Sequence, residues 1–435
     1  MTMKWNIILP VLFITSLVAM PIRAQQGSQA ERSPQTGQRN RTPGQTLDGL
    51  LEAALEQNPA LRAARERHEA ARLQAPQAAA LPDLNIGAGI FAVPVETRLG
   101  PQRATLSFSQ SFPWFGTLGA EENAVLARAR QVEADYHDQR LRVFFDIRET
   151  WYRMYVLERS IESNNDQLAF LRTLLELARV RYEGGDTGYT DVLRLEMEVE
   201  EVLTRVRSLE DGRTVLRTKL SRATGMEVRE DFAFPRSLDP FATLPAEEAL
   251  RDRMLRNNPQ LHRLEEERSY WHYRGVAARR SGYPKFTLGL TYIAIDPRTD
   301  MQVEGSGRDA IMPQVGISVP LFGSRYSSME EQAVRQENAA RESGTDRSNL
   351  LLVRLEETLR DHRDATRRLE LNERLLAIAE QTRDIGLQEY AAGITSLEDL
   401  LGIERSLLRY ALDKAEAEAD LRISRDFIKY LTAEE

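Results

Sequence analysis

The side chains able to do chemistry are few in kind and scattered along the chain. The five histidines, His68, His137, His262, His272 and His362, form no His-Glu-x-x-His pair, and no cysteine is present to complete a metal cluster. Structural or solvent-facing roles are expected for all five, and the dispersed methionines form no metal-binding stripe. "EGSGRD", residues 304–309, has the outline of a nucleophile elbow but lacks the strand–turn–helix setting, so it reads as loop. Neither catalysis nor a cofactor is expected. What remains are acids placed just after glycine-rich turns. Gly184, Gly185 and Gly188 precede Asp191 in "YTDVL", and Gly393 precedes Glu398 and Asp399 in "LEDLL". Glycine allows a tight reversal. An acid in the following first turn is stabilised by the helix dipole. Repeated around a symmetry axis, the same acid becomes a carboxylate ring that attracts cations and repels anions.

Those turns must be carried by something, and bulk properties narrow the choice. The chain has 435 residues and a formal net charge of −8, with no basic cluster, which argues against a nucleic-acid partner. Lys4 precedes an apolar run over 7–20, and Ala24 precedes Gln25, so residues 1–24 read as a secretory signal peptide. The Gln-, Ser-, Pro- and Arg-rich stretch 25–46 reads as a flexible leader. An exported chain without cysteine is held by packing or oligomerisation, and cannot be lipid-anchored through an N-terminal cysteine.

The chain is a tandem duplication. "EQNPALRAARERHEAARLQA" matches "LRNNPQLHRLEEERSYWHYR", and "LPDLNIGAGI" matches "YPKFTLGLTY". "PWFG" at Pro113, Trp114, Phe115 and Gly116 matches "PLFG" at Pro320, Phe322 and Gly323. "RYEGGDTGYTDVL" matches "EYAAGITSLEDLL". Four matches in one order define copy one as 47–225 and copy two as 246–435, joined by a linker over 226–245.

Within each copy the texture changes at the Pro-x-Phe-Gly hinge. Before it, apolar residues alternate with small polar ones: Leu84, Ile86, Ala88 and Ile90, then Ala104, Leu106 and Phe108, and again Phe286, Leu288, Leu290 and Tyr292. Period two predicts half-buried strands over about 83–93, 102–112, 285–295 and 311–320. Strands of about ten residues suit a tilted membrane crossing. Four cannot close a barrel, and an open edge in lipid is costly, so other copies must complete the sheet; three would supply twelve strands. After the hinge come long proline-free helices, about 117–183 and 324–392, and return helices, about 190–224 and 395–432. Leu168, Leu171, Leu175 and Ala178, like Leu371, Leu375, Ile378, Thr382 and Ile385, step by three and four, as in coiled-coil packing. The hinge aromatics suit a membrane–water boundary.

In its duplication, hinges and turns the chain, over about 45–431, resembles the TolC family of trimeric outer-membrane efflux channels. The resemblance implies a mainly α fold with membrane β: a homotrimer whose twelve-stranded barrel in outer-membrane lipid continues as an α-helical barrel across the periplasm. It implies a collar at 226–245 with the helices near 47–57 and 247–257, and extracellular loops at 94–101 and 296–310. It implies a passive duct working with a periplasmic adaptor and an inner-membrane pump, with the adaptor meeting the turns at Gly184, Gly185, Gly188 and Gly393. The "FPWFG" hinge is similar to members serving heavy-metal RND pumps, so metal ions or drugs are the implied cargo. A type I secretion duct for proteins is the alternative within the class, and a periplasmic coiled-coil adaptor the alternative outside it. Carried over by position, Tyr390 would hydrogen-bond Asp191 to hold the entrance shut, with Tyr182 as its repeat equivalent. Asp399 would be one of an aspartate pair. The second aspartate falls at Gly402 and a gating arginine at Thr395, departures that imply a looser latch or different contacts.

Overall fold

The computed structural model describes residues 46–238 and 243–434. The expected signal peptide and the leader up to residue 45 lie outside the described residues. Copy one comprises α1 (Leu47–Gln57), α2 (Pro59–Arg72), α3 (Gln74–Ala79), β1 (Asn85–Thr97), β2 (Gly100–Phe112), α4 (Thr117–Gly184) and α5 (Tyr189–Thr224). Copy two comprises α6 (Glu247–Asn257), α7 (Pro259–Ser281), β3 (Lys285–Ile295), β4 (Ala310–Ser318), α8 (Gly323–Ala391) and α9 (Leu397–Thr432).

The Asn-Pro pairs start helices for two reasons. Proline fills the first helical position, where its missing N–H costs nothing. Asn58 Oδ1 accepts from the amides of Ala60 and Leu61, and Asn258 Oδ1 from that of Gln260. Copy one then breaks its helix at Leu73, with Pro76 in the first turn of α3, whereas Val276 stands at the matching place and α7 runs on for 23 residues.

The four strands form one antiparallel sheet in the order β1-β2-β3-β4. β1 runs further than its alternation suggests. The expected loop over 94–101 is reduced to a tight turn, because the register shifts between Ile90 and Val95 and that bulge accommodates Pro94 within the strand. The connection from β3 to β4 spans 296–309, close to expectation.

The hinges differ between copies. Gly116 caps α4 with φ 76°, and a Cβ there would lie 2.3 Å from the Arg280 guanidinium. Arg280 donates to the Gly116 carbonyl, so both torsion and close approach demand glycine. Gly323 is the first residue of α8 itself and has open space around it, so the second hinge does not depend on glycine as the first does. Trp114 stacks on Tyr283 at 5.2 Å and on Phe286 at 5.9 Å. Phe115 and Phe322 are exposed.

α4 and α8, of 68 and 69 residues, are each about 100 Å long at 1.5 Å per residue. Shorter helices follow one another along them. Arg130 of α4 bonds Glu266 of α7 at 2.8 Å, and further along, Tyr152 donates to Asp426 of α9 at 2.6 Å. Along α8, Arg279 of α7 bonds Glu330 and then Arg368 bonds Asp420 of α9. The stacked ends are tied, since Asn258 Nδ2 donates to Leu431 O, and Asn58 Nδ2 to Ala223 O.

Three apolar cores fasten this frame. At mid-length, Leu50 and Ala54 of α1 pack with Ile147, Met154, Leu220 and the linker residues Val228, Phe232 and Phe234. The repeat equivalent joins Leu250 and Met254 of α6 to Leu355, Leu359, Ile428 and Leu431. The third core lies near the far turns, where Leu171, Leu174 and Ala178 of α4 meet Leu195 of α5, Tyr390 of α8 and Leu400 of α9. Full burial of a leucine of this kind contributes about 1.5–3 kcal/mol, so the turns are carried on rigid ends.

Candidate functional site

Two places combine unusual chemistry with a defined position: the sheet faces and the paired turns α4–α5 and α8–α9. No helix among the described residues is long and apolar enough to cross a membrane. The sheet, however, is two-faced. The pairing places Ile86 beside Phe108, Phe108 beside Leu290, Ala88 beside Leu106, Leu106 beside Tyr292, and Leu288 beside Val315. One face is therefore apolar across all four strands, and much of it is exposed, Ile90 by 85% and Val315 by 75%. The other face carries Gly87, Ser107, Thr291 and their neighbours Gly89, Thr105, Ser109 and Thr287. An exposed apolar face of this extent marks contact with lipid or protein.

At the turns, positive φ is needed at Gly185 (80°) and Gly393 (75°). Gly184 is still helical, and Gly188 caps α5 in an extended conformation, so these two are not required by torsion. Asp191 lies in the first turn of α5, and its carboxylate accepts from the Thr187 hydroxyl. Ser396 caps α9: its hydroxyl accepts from the Asp399 amide and donates to the Asp399 carboxylate at 2.6 Å. Glu398 is bound to Arg194 and lies 3.6 Å from Arg405, so it bridges the return helices instead of standing free. Tyr182 is exposed, with its ring 5.2 Å from that of Tyr189. Thr395 is half-buried, and Gly402 is exposed with nothing near its missing Cβ.

Tyr390 departs from expectation. It is 1% exposed, yet its hydroxyl has no hydrogen-bond partner. The bond to Asp191 is absent within the chain, because Asp191 takes the nearby Thr187 hydroxyl instead. Burial, with Asp191 nearby, raises the Tyr390 phenol above its ordinary range. The contact present is to Arg181, in the last turn of α4. Its guanidinium lies 4.7 Å from the Tyr390 ring centroid and donates to the Tyr390 carbonyl. Sequence spacing missed Arg181. Its one signal was a cation beside a helix C-terminus, where copy two has Glu389.

Folding also gathers some of the dispersed histidines. His137 and His262 line one cavity of about 430 Å³ with Glu133 and Glu266. Burial, then Arg140, holds His137 below its ordinary range. No group of three or more His, Asp or Glu among the described residues is placed to hold a metal ion.

The site thus combines a sheet with one exposed apolar face and long helical hairpins with acids at their far turns. The family model described as outer membrane efflux protein matches residues 50–226 and 250–432, one stretch per copy. The chain belongs to the outer membrane efflux protein family. Among solved structures it is similar to CusC, a transmembrane channel, with 15% identity and a TM-score of 0.75 over 89% of this chain and 92% of that one. It is also similar to the outer membrane protein VceC of Vibrio cholerae, with 19% identity, a TM-score of 0.73, and 89% and 96% covered. The Campylobacter jejuni CmeC outer membrane channel follows at 14%, 0.72, and 94% of each chain. No curated protein matches the sequence significantly. The chain is thus a passive exit duct of the outer membrane, extending into the periplasm, and not an enzyme.

Proposed function

We propose that three copies of this chain close one duct, fed by an inner-membrane RND pump through a periplasmic adaptor that meets the turns at Gly184, Gly185, Gly188 and Gly393. The observation that carries the trimer is the sheet: β1 and β4 each have one side unpaired within the chain. Open edges in lipid cost several kcal/mol per unpaired group, so neighbouring copies close them. The helices point the same way. Leu371, Ile378 and Ile385, seven residues apart on α8, are exposed in the single chain, a seam that a neighbouring copy covers. At the turns the 76% exposed Ile394 and half-exposed Tyr189 offer an apolar contact to an adaptor tip.

In the trimer, Asp191 and Asp399 each become a ring of three at the periplasmic entrance, while Glu398 is largely spent on Arg194. The test is chemical cross-linking of the purified chain together with ion selectivity in a planar bilayer. A trimer with a small, cation-selective conductance, whose selectivity falls in Asp399→Ala and is kept in Glu398→Gln, is the expected result. A monomer that never inserts overturns the duct; unchanged selectivity in Asp399→Ala overturns the ring.

A further inference from the structure

We infer that Arg181 is the residue that couples the two hairpin turns and holds the entrance closed. It deepens the duct reading and rests on it. Arg181 reaches both turns at once. Its backbone carbonyl accepts from the Asp186 amide at 2.9 Å and is also approached by the Gly185 amide, which closes the α4–α5 turn. Its guanidinium donates to the carbonyl of Tyr390 and lies over that ring, which fixes the end of α8. Tyr390 O is one of the last-turn carbonyls of α8, and it also accepts from Gly393 N at 3.0 Å. A cation at that helix end meets both the free lone pair and the negative pole of the dipole. The α8–α9 turn is shaped around the group: a Cβ on Gly393 would lie 3.4 Å from Arg181 Nη2. This side chain therefore adds a polar tie between the two turns to the apolar core that already packs α4, α5, α8 and α9 together.

Other cross-links near the turns are weaker in kind. Arg194–Glu398 and Arg405–Glu398 are exposed ion pairs, with side chains about half accessible. Pairs of this sort contribute little and are screened by salt. Arg405–Glu198, with the acid largely covered, ties α5 to α9 but does not reach α8. The Arg181 contact joins a charge to a neutral carbonyl and a ring that is almost wholly buried, so salt leaves it largely intact. Salt response thus separates the two explanations. If the ion pairs latch the entrance, raising salt opens it; if Arg181 does, salt has little effect and removal of the guanidinium opens it.

The experiment is single-channel recording of the full mature chain at about 0.1 and 1 M KCl, scored as open probability. Arg181→Ala is expected to raise the open-to-closed ratio about tenfold or more, the worth of one charge-assisted hydrogen bond, equally at both salt concentrations. Arg181→Lys, which keeps the charge but not the planar fork, falls between. Thermal melts of each variant separate a loosened latch from a damaged fold. A parent that conducts while Arg181→Ala behaves like it, or opening by Glu398→Gln and by salt instead, overturns the latch and leaves the duct standing. A chain that conducts neither as the parent nor as Arg181→Ala overturns the duct itself.

Discussion

Glu404 shows what a single buried acid does to this helical frame. It lies on α9, 2% exposed, and its Oε2 has no hydrogen-bond partner. Burial lifts its carboxyl from the ordinary 4.5 to about 7; Arg383 of α8 lowers it, and Asp166 of α4 raises it. Between those two values the folded chain holds a proton that the unfolded chain has released. Stability is therefore fully present below about 4.5, falls as pH rises through about 7, and levels off above. Glu404→Gln, which keeps the shape of the neutral acid, should remove that slope. It should raise stability at pH 8 by roughly 1–3 kcal/mol and leave it unchanged near pH 4. Melting temperatures of parent and variant across this range check it, and parallel curves would sink the idea. Nothing in "LLGIERSLL" announces the site. A glutamate between leucines at that spacing reads as a solvated position, and only the convergence of α4 and α8 on α9 buries it. Arg181 is hidden for the same reason, since its partner Tyr390 is 209 residues away.

Among the elements, the junctions between stacked helices carry the clearest consequence of the duplication. Each Asn-Pro motif was legible as a helix start, because capping is local. Its second role is not: the same amides donate to Ala223 O and Leu431 O, the ends of return helices far along the chain. Asn258→Ala should therefore cost about 2 kcal/mol, more than a cap alone, because a buried carbonyl loses its donor as well. The residue after each return helix adopts the left-handed conformation, Gly225 at φ 78° and Ala433 at φ 58°, the one non-glycine with positive φ among the described residues. A Cβ at Gly225 would lie 2.4 Å from Gln57 O, so this copy tolerates only glycine. Ala433 bears the cost of a side chain there, and Ala433→Gly should gain about 1 kcal/mol. Denaturant midpoints of both variants test the pair, and a loss on Ala433→Gly would contradict the strain argument. The hinges teach a related point. "PWFG" and "PLFG" look alike, yet only Gly116 is pinned, because only there does Arg280 come within bonding reach.

For the whole molecule, the decisive property is that one sheet face is mainly apolar on every strand, Gln110 aside, and the other is rich in serine, threonine and glycine. Alternation within each strand was readable from spacing. Agreement between strands was not, because it depends on register: Leu106 lies between Ala88 and Tyr292, and Ser107 between Gly87 and Thr291. A slip of one residue anywhere would have mixed the faces. In the closed barrel proposed above, neighbouring positions on β2 face lipid and lumen in turn, and the same substitution at each should have opposite outcomes. Leu106→Arg sets a charge against lipid and should cost about 2–4 kcal/mol, enough to impair insertion. Ser107→Arg projects beside Gly87 into the water-filled side. It should insert normally, lower the conductance and shift selectivity toward anions. Recovery in the outer-membrane fraction followed by bilayer recording reads both. Equal tolerance of the two arginines would mean that the apolar face meets no lipid. Failure of the Ser107 variant alone would reverse the assignment of inside and outside.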